Sequence, residues 1–384
     1  MPTDRASPAA DPHRYLALDA LRGAAAFAVL FYHFRHIGIA RALPAGLPAF
    51  ASGYLAVDLF FVLSGFVIAH AYGRRLTGDL SFGAFLIVRF VRLQPVIAIG
   101  TLIGFALALA QRLLGAEGAP GLFAITSSLG FNLLMLPNPL LPWGMFLFNP
   151  PAWSLFYELA ANTAYAAAIQ VARTRYPGTR LILPALCLAG LAGLVLAVLR
   201  AGDLDSGVAL ADWPVALARI AFSFSLGLLL HRSRQRWLPR LPRVPMPWLL
   251  LACLALLAPG FEGWPRALYD LAFAALLSPA LVMLAAATHP APKHEGLAAW
   301  LGMISYPLYA VHAPLKHVLE TTFPFGFLPL FILGTGSAVL AAWLIGFTVD
   351  PALRRWLTAR LRPRPPGRAP APPIAAPAPL SESL

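Results

Sequence analysis

An arginine and a histidine stand eleven residues apart in the stretch RYLALDALRGAAAFAVLFYHF, residues 14–34. On a helix that spacing places Arg22 and His33 on one face, about 16 Å apart along the axis. Asp19 lies one turn before Arg22, within ion-pairing reach. The stripe therefore carries a guanidinium with a carboxylate partner at one level and an imidazole at another. Further along, Arg89 and Arg92 in FLIVRFVRLQP present two guanidinium forks on one helix face, a pattern suited to phosphate oxygens. Ser154 and Glu158 in PPAWSLFYELAAN share a face at i and i+4. Asp58 opens DLFFVLSGFVIA, where Ser64 and Gly65 allow a second backbone or a thin ligand to come close. His312 in ISYPLYAVHAPL adds a second imidazole, with Tyr306 and Tyr309 before it and Pro307 and Pro314 able to bend its helix. An imidazole beside a carboxylate can take the proton of an alcohol and raise its nucleophilicity toward a thioester carbonyl, while a buried arginine stabilises developing negative charge. The chemistry these types suit is group transfer.

The elements that must position them are membrane helices. Hydrophobic residues make up 59% of the 384-residue chain and charged residues only 12%, against about 25% charged in an ordinary soluble domain. Apolar runs at 15–34, 53–72, 85–110, 152–172, 181–199, 213–230, 246–259, 267–287, 297–317 and 326–349 predict an all-α integral membrane bundle of about ten transmembrane helices. The segment GLFAITSSLGFNLLMLP, from Gly121, is apolar but short and polar in its middle. Leaving it out of the count places GRRLTG, RTRYPGTR, HRSRQRWLPRLPR, HPAPKHEG and RRWLTARLRPRPPGR on one side, the side that Lys and Arg in short loops mark as cytoplasmic. Both termini are then cytoplasmic, and residues 112–151 form an outer re-entrant or interfacial loop, tolerable only where helices or water cover its backbone. On this topology His33, Asp58 and Glu158 share the outer level, and Arg89 and Arg92 lie near the inner one.

Residues 1–13 read as a disordered N-terminal segment, 14–350 as one transmembrane domain, and 351–384 as a basic, then Pro/Ala-rich, disordered tail. The net charge of +13 sits largely in short inter-helix segments, as orientation signals do, so nucleic acid is not an expected partner. Cys187 and Cys253 fall in separate apolar runs without metal-ligand spacing, and no metal is expected. Each polar residue also has a plainer reading: Asp19 with Arg22 as a packing ion pair, Arg89 and Arg92 as headgroup-snorkelling cations, a boundary histidine as an interfacial group.

LDALRGAAAFAVLFYH, DLFFVLSGFVIA, RFVRLQP, PAWSLFYEL and ISYPLYAVHAPL, in that order, resemble the integral-membrane acyltransferase-3 family over about residues 14–350. Members O-acylate surface polysaccharides, lipopolysaccharide O-antigen, Nod factors, peptidoglycan and some antibiotics, on a fold of about ten membrane helices. The resemblance implies that Arg22 and His33 match the family's first-helix pair, His33 being the base or a transient acyl carrier. It implies that Arg89 and Arg92 match the Arg-x-x-Arg pair that engages acyl-CoA, and that Ser64, Gly65 and Phe66, and Trp153, Ser154 and Glu158, match two further motifs. Gln94 stands where an aromatic is common before the proline, and WSLFYEL carries one Glu where a frequent version has two.

The expectation is thus a multi-pass enzyme of the cell inner (plasma) membrane. It moves an acyl group, acetyl foremost, from cytosolic acyl-CoA as co-substrate to a hydroxyl of a glycan or glycolipid, with no bound cofactor. Its catalytic residues are His33, Arg22, Glu158 and Ser154. Arg89 and Arg92 bind the donor, and Asp19, Asp58, Ser64, Gly65, Trp153 and His312 support them. Membrane lipids surround it, and the spacing carries no signal of oligomeric state. The rival class is a transporter or flippase of a glycan precursor or anionic metabolite. An internal repeat between the halves would favour that class, and none is visible. A silent scaffold of a polysaccharide-assembly complex would show no acyl-CoA turnover.

Overall fold

A computed structural model describes residues 15–40, 50–175 and 181–361. The expected N-terminal segment 1–13 and the tail beyond 361 lie outside the described residues. Among the described residues every regular element is helical. Each of the ten apolar runs is a helix: α1 (Leu16–Ala40), α2 (Ala56–Thr77), α3 (Phe82–Leu113), α5 (Ala152–Arg175), α6 (Ile182–Ala201), α7 (Trp213–Trp237), α8 (Met246–Leu257), α9 (Gly263–Ala272) joined to α10 (Ser278–Ala287), α11 (Pro292–Thr322) and α12 (Phe327–Leu344). Among the described residues seven helices are long and apolar enough to cross a membrane. The chain is an all-α, multi-pass membrane protein. Helix α8 is short of that length, since 12 residues rise about 18 Å against a hydrocarbon core of about 30 Å. Helix α11 is more polar, opening on Lys293, His294 and Glu295 and carrying two internal prolines.

The segment left out of the sequence count is a 12-residue helix, α4 (Leu122–Leu133), lying on α3. Its buried polar residues explain how the following coil survives inside apolar surroundings, where each unpaired polar group is expensive. Asn132 Nδ2 donates to the Met145 carbonyl at 2.9 Å, and Asn138 Nδ2 donates to Ser128 Oγ at 3.0 Å. Gln94, the departure before Pro95, donates its amide to the Leu133 carbonyl and so ties the end of α4 to α3.

Helix α11 packs on α1, α3 and α12, while α2 packs on α7. In the α1–α11 pair, Asp19 meets Gly302 and Gly23 meets Leu301. The histidines His33 and His312 meet further along both helices, so the two run parallel. Helices α2 and α7 cross backbone to backbone. A Cβ on Gly65 would sit on the Phe224 carbonyl, and one on Gly227 on the Val62 carbonyl. Of the two occupants expected at Ser64–Gly65, the structure therefore places a helix backbone. Gly65→Val is expected to force these helices apart at a cost of about 3 kcal/mol or more, as overpacking does. Loss of the monodisperse peak on size exclusion in detergent measures it; an unchanged peak and melting midpoint would contradict it.

Residues 351–361 depart from the expected disorder. A π turn, Ile345–Val349, leads from α12 into α13 (Asp350–Leu361). Arg354 pairs with Asp350 one turn back within α13 at 2.6 Å and donates to the Arg92 carbonyl of α3 at 3.2 Å, the contact that ties the extra helix to the bundle.

Candidate active site

The motif residues surround a cavity of about 1000 Å³. Its arginine-rich end is bordered by Arg74, Arg234 and Arg354, and its far end by Val57, Phe60, Ser154 and Tyr309. Six arginines and three carboxylates line it, an excess of positive charge that suits a ligand with several anionic groups. Along its walls Arg22 pairs with Asp19 on its own helix and donates from Nε to Ser305 Oγ at 3.3 Å, which fixes its direction. Arg89 is buried and places Nη2 3.1 Å from Glu158 Oε1, which also accepts a 2.7 Å hydrogen bond from Ser64 Oγ. Arg92, one turn along, is exposed. The expected pair of equivalent forks is thus divided: one guanidinium is committed to a carboxylate and the other is presented at the surface.

A polar and aromatic layer closes the far end. Ser154 Oγ and Tyr309 Oη are 2.7 Å apart, Ser154 also donates to the Pro151 carbonyl at 3.1 Å, and the Phe60 ring packs edge-on against Tyr309 with centroids 5.5 Å apart. Behind this layer, outside the cavity lining, His312 Nε2 lies 3.3 Å from His33 Nδ1. Among the described residues no group of three or more His, Cys, Asp or Glu is placed to hold a metal ion.

The expected outer cluster of His33, Asp58 and Glu158 is not assembled. Glu158 sits with Arg89 and Ser64 because α5 does not begin at the bundle's edge. Gly104 of α3 leaves room for the backbone at Phe148, Gly100 leaves room for the Ala310 carbonyl of α11 and the Asn149 amide, and Asn149 Nδ2 donates to that carbonyl at 2.8 Å. The loop before α5 is therefore drawn down between α3 and α11. Ser154 then meets Tyr309, and Glu158 one turn later falls to the level of Arg89. Asp58 is taken up instead by Arg219 of α7. Arg219 Nη2 lies 2.7 Å from Asp58 Oδ2, and both side chains are buried, 1% and 0% exposed. Trp153, expected to support catalysis, stacks on that guanidinium with its ring centroid 5.5 Å away.

Sequence reasoning passed over Arg219, although an arginine in ALARIAFSFSLG is as much a charge within an apolar run as Arg89 is. It also passed over Ser305, the acceptor for Arg22, and Asp205, which accepts a 2.6 Å hydrogen bond from Tyr32 beside His33. A serine and a loop aspartate give no such signal.

A family model described as an acyltransferase domain matches residues 15–347. The chain belongs to the acyltransferase-3 family. Over 165 residues it is 40% identical to a protein described as protein 2 in the picA locus of Rhizobium radiobacter, an overlap of 40% of this chain and 82% of that protein. No solved structure matches the chain. It is accordingly an enzyme, a membrane acyltransferase. The five patches that carry the family resemblance lie on α1, α2, α3, α5 and α11, far apart in sequence, and in this acyltransferase they converge on one cavity and the imidazole pair behind it.

Proposed function

We propose that this acyltransferase moves an acyl group, acetyl foremost, from cytosolic acyl-CoA to a hydroxyl of a glycan or glycolipid on the far side of the inner membrane. The observation that carries the reading is a cavity rich in arginine whose opposite end stops at the Ser154–Tyr309 layer, with His33 immediately beyond. The Lys/Arg bias of the loops assigns the arginine end to the cytoplasm. There Arg92 and Arg22 meet the donor's phosphates, and Arg89, held by Glu158, keeps the field positive further in. A narrow donor arm extends toward Phe60 and Tyr309, the layer beyond which His33 lies.

His33 is the base. Its imidazole takes the acceptor hydroxyl's proton as the oxygen attacks the carbonyl carbon; the new C–O ester bond forms, the C–S bond breaks, and the CoA thiolate leaves, recovering the proton. The same cavity supports a preference for donors with small acyl groups, because Phe60 and Tyr309 close its end.

Inverted membrane vesicles supplied with [14C]acetyl-CoA test this. Label is expected in the envelope glycan fraction only when the protein is present, and an unlabelled glycan with active protein in the membrane sinks the reading. Arg92→Ala is expected to raise the acetyl-CoA KM roughly tenfold with kcat nearly unchanged, the pattern of lost uniform binding. A fall in kcat at constant KM would remove Arg92 from the donor site.

A further inference from the structure

Four hydrogen-bonding contacts of the two imidazoles with described residues set where the protons lie when both rings are neutral. His312 Nδ1 lies 3.1 Å from the Leu308 carbonyl and 2.9 Å from the Tyr309 carbonyl, groups that only accept. His312 Nδ1 must therefore carry the proton, leaving a lone pair on Nε2, which faces His33 Nδ1 at 3.3 Å. His33 Nδ1 also lies 2.9 Å from the Val29 carbonyl, so it too must be the protonated nitrogen, donating both to Val29 and to His312 Nε2. The opposite assignment, with the shared proton on His312 Nε2, would aim two nitrogen lone pairs at three carbonyl oxygens. His312 is held by more than its hydrogen bonds, being 1% exposed, with its ring 5.8 Å from the Tyr309 ring and 4.8 Å from that of His33.

We infer that His312 is a positioning residue which fixes the Nδ1-protonated tautomer of His33, so that Nε2 of His33 is the nitrogen that receives the acceptor's proton. This rests on the proposed role of His33 as base. In other enzymes a buried carboxylate plays this part, accepting from Nδ1–H and holding the ring so that Nε2 carries the lone pair. Here a neutral imidazole supplies the acceptor, and its own orientation is set by the α11 backbone two contacts away. Pro314 cannot donate to the Ala310 carbonyl, and that oxygen instead accepts from Asn149. The helix around His312 is thereby anchored to the loop that leads into Ser154.

Two measurements on the full-length protein in lipid nanodiscs test the inference. Histidine labelled with 15N only at Nδ1, with the His33 signal identified by its loss in His33→Ala, is expected to show a protonated, pyrrole-type nitrogen at His33. An unprotonated Nδ1 at neutral pH overturns the inference, and this arm needs no His312 variant to fold. The second measurement follows CoA release from acetyl-CoA, with an extract of the source cell envelope as acceptor. His312→Leu is expected to lower kcat about 100-fold, within the range for losing an oriented base, with the acetyl-CoA KM within about twofold. His312→Gln, whose Oε1 accepts near the Nε2 position, is expected to recover activity to within about tenfold of the wild type. Equal losses in the two variants, or a raised KM at unchanged kcat, would make His312 a packing residue and overturn the inference. If His33→Ala alone retains full transfer, the reading of His33 as base fails. If His33→Ala is inactive and His312→Leu is fully active, only the positioning role fails.

Discussion

Alanine at position 33 is expected to lower acyl transfer by about 10²- to 10⁴-fold, the usual contribution of a positioned base, while acetyl-CoA continues to bind. The separation follows from where the ring lies. His33 is outside the arginine-lined cavity, behind the layer formed by Ser154, Phe60 and Tyr309, so its removal touches none of the cavity's arginines. Truncation also leaves the fold's main supports in place: the α1–α11 crossing at Gly23 and Gly302 lies about ten residues back along α1, two to three turns, and the Arg22 contacts with Asp19 and Ser305 lie at that same end. Equilibrium binding of [14C]acetyl-CoA to protein in nanodiscs, alongside the transfer rate, distinguishes the cases. Loss of binding together with transfer would place His33 in donor recognition. Full transfer would end its role as base.

The helical bundle and the first-helix stripe were legible because they rest on period and composition. Asp19, Arg22 and His33 are close enough in sequence for helix geometry alone to fix their relation, and the structure places Asp19 on Arg22 as expected. Depth across different helices was not legible in the same way. Assigning Glu158 to the level of His33 assumed that α5 starts where the membrane starts, and nothing in PPAWSLFYEL shows that Gly104, some fifty residues earlier, admits the backbone of its leading loop while Gly100 admits the Asn149 amide beside α11. Gly65 raised the converse difficulty. Its small size was visible, but whether a ligand or a helix would use the space was decided by Gly227, a residue with no motif around it. His312 stood out as a polar residue late in an apolar helix, but its orientation toward His33 depends on backbone carbonyls, which a sequence does not display.

Removing either member of the Asp58–Arg219 pair is expected to destabilise the bundle by about 3–5 kcal/mol, the range for an uncompensated buried charge. The two single variants should nevertheless differ, because the pair is one part of a larger set of contacts. Arg219 Nη2 also donates to the Tyr54 carbonyl at 2.9 Å, and Nη1 donates to the carbonyls of Leu204 and Ser206 at 2.9 and 3.2 Å. The guanidinium thus holds α2, α7 and the loop after α6 at one point, under the ring of Trp153. Asp58→Leu strands a cation that keeps three carbonyl partners. Arg219→Leu strands an anion and leaves those three carbonyls without their donor, each at a further cost of about 1–3 kcal/mol where water cannot reach. Arg219→Leu should therefore melt at the lower temperature in detergent. The double variant removes the stranded charge, and for an isolated ion pair it would restore most of the stability. Here it is expected to melt near Asp58→Leu rather than near wild type, because the carbonyls remain unpaired. A double variant as stable as the wild type would mean that the loop after α6 finds other donors, and that Arg219 serves only to neutralise Asp58.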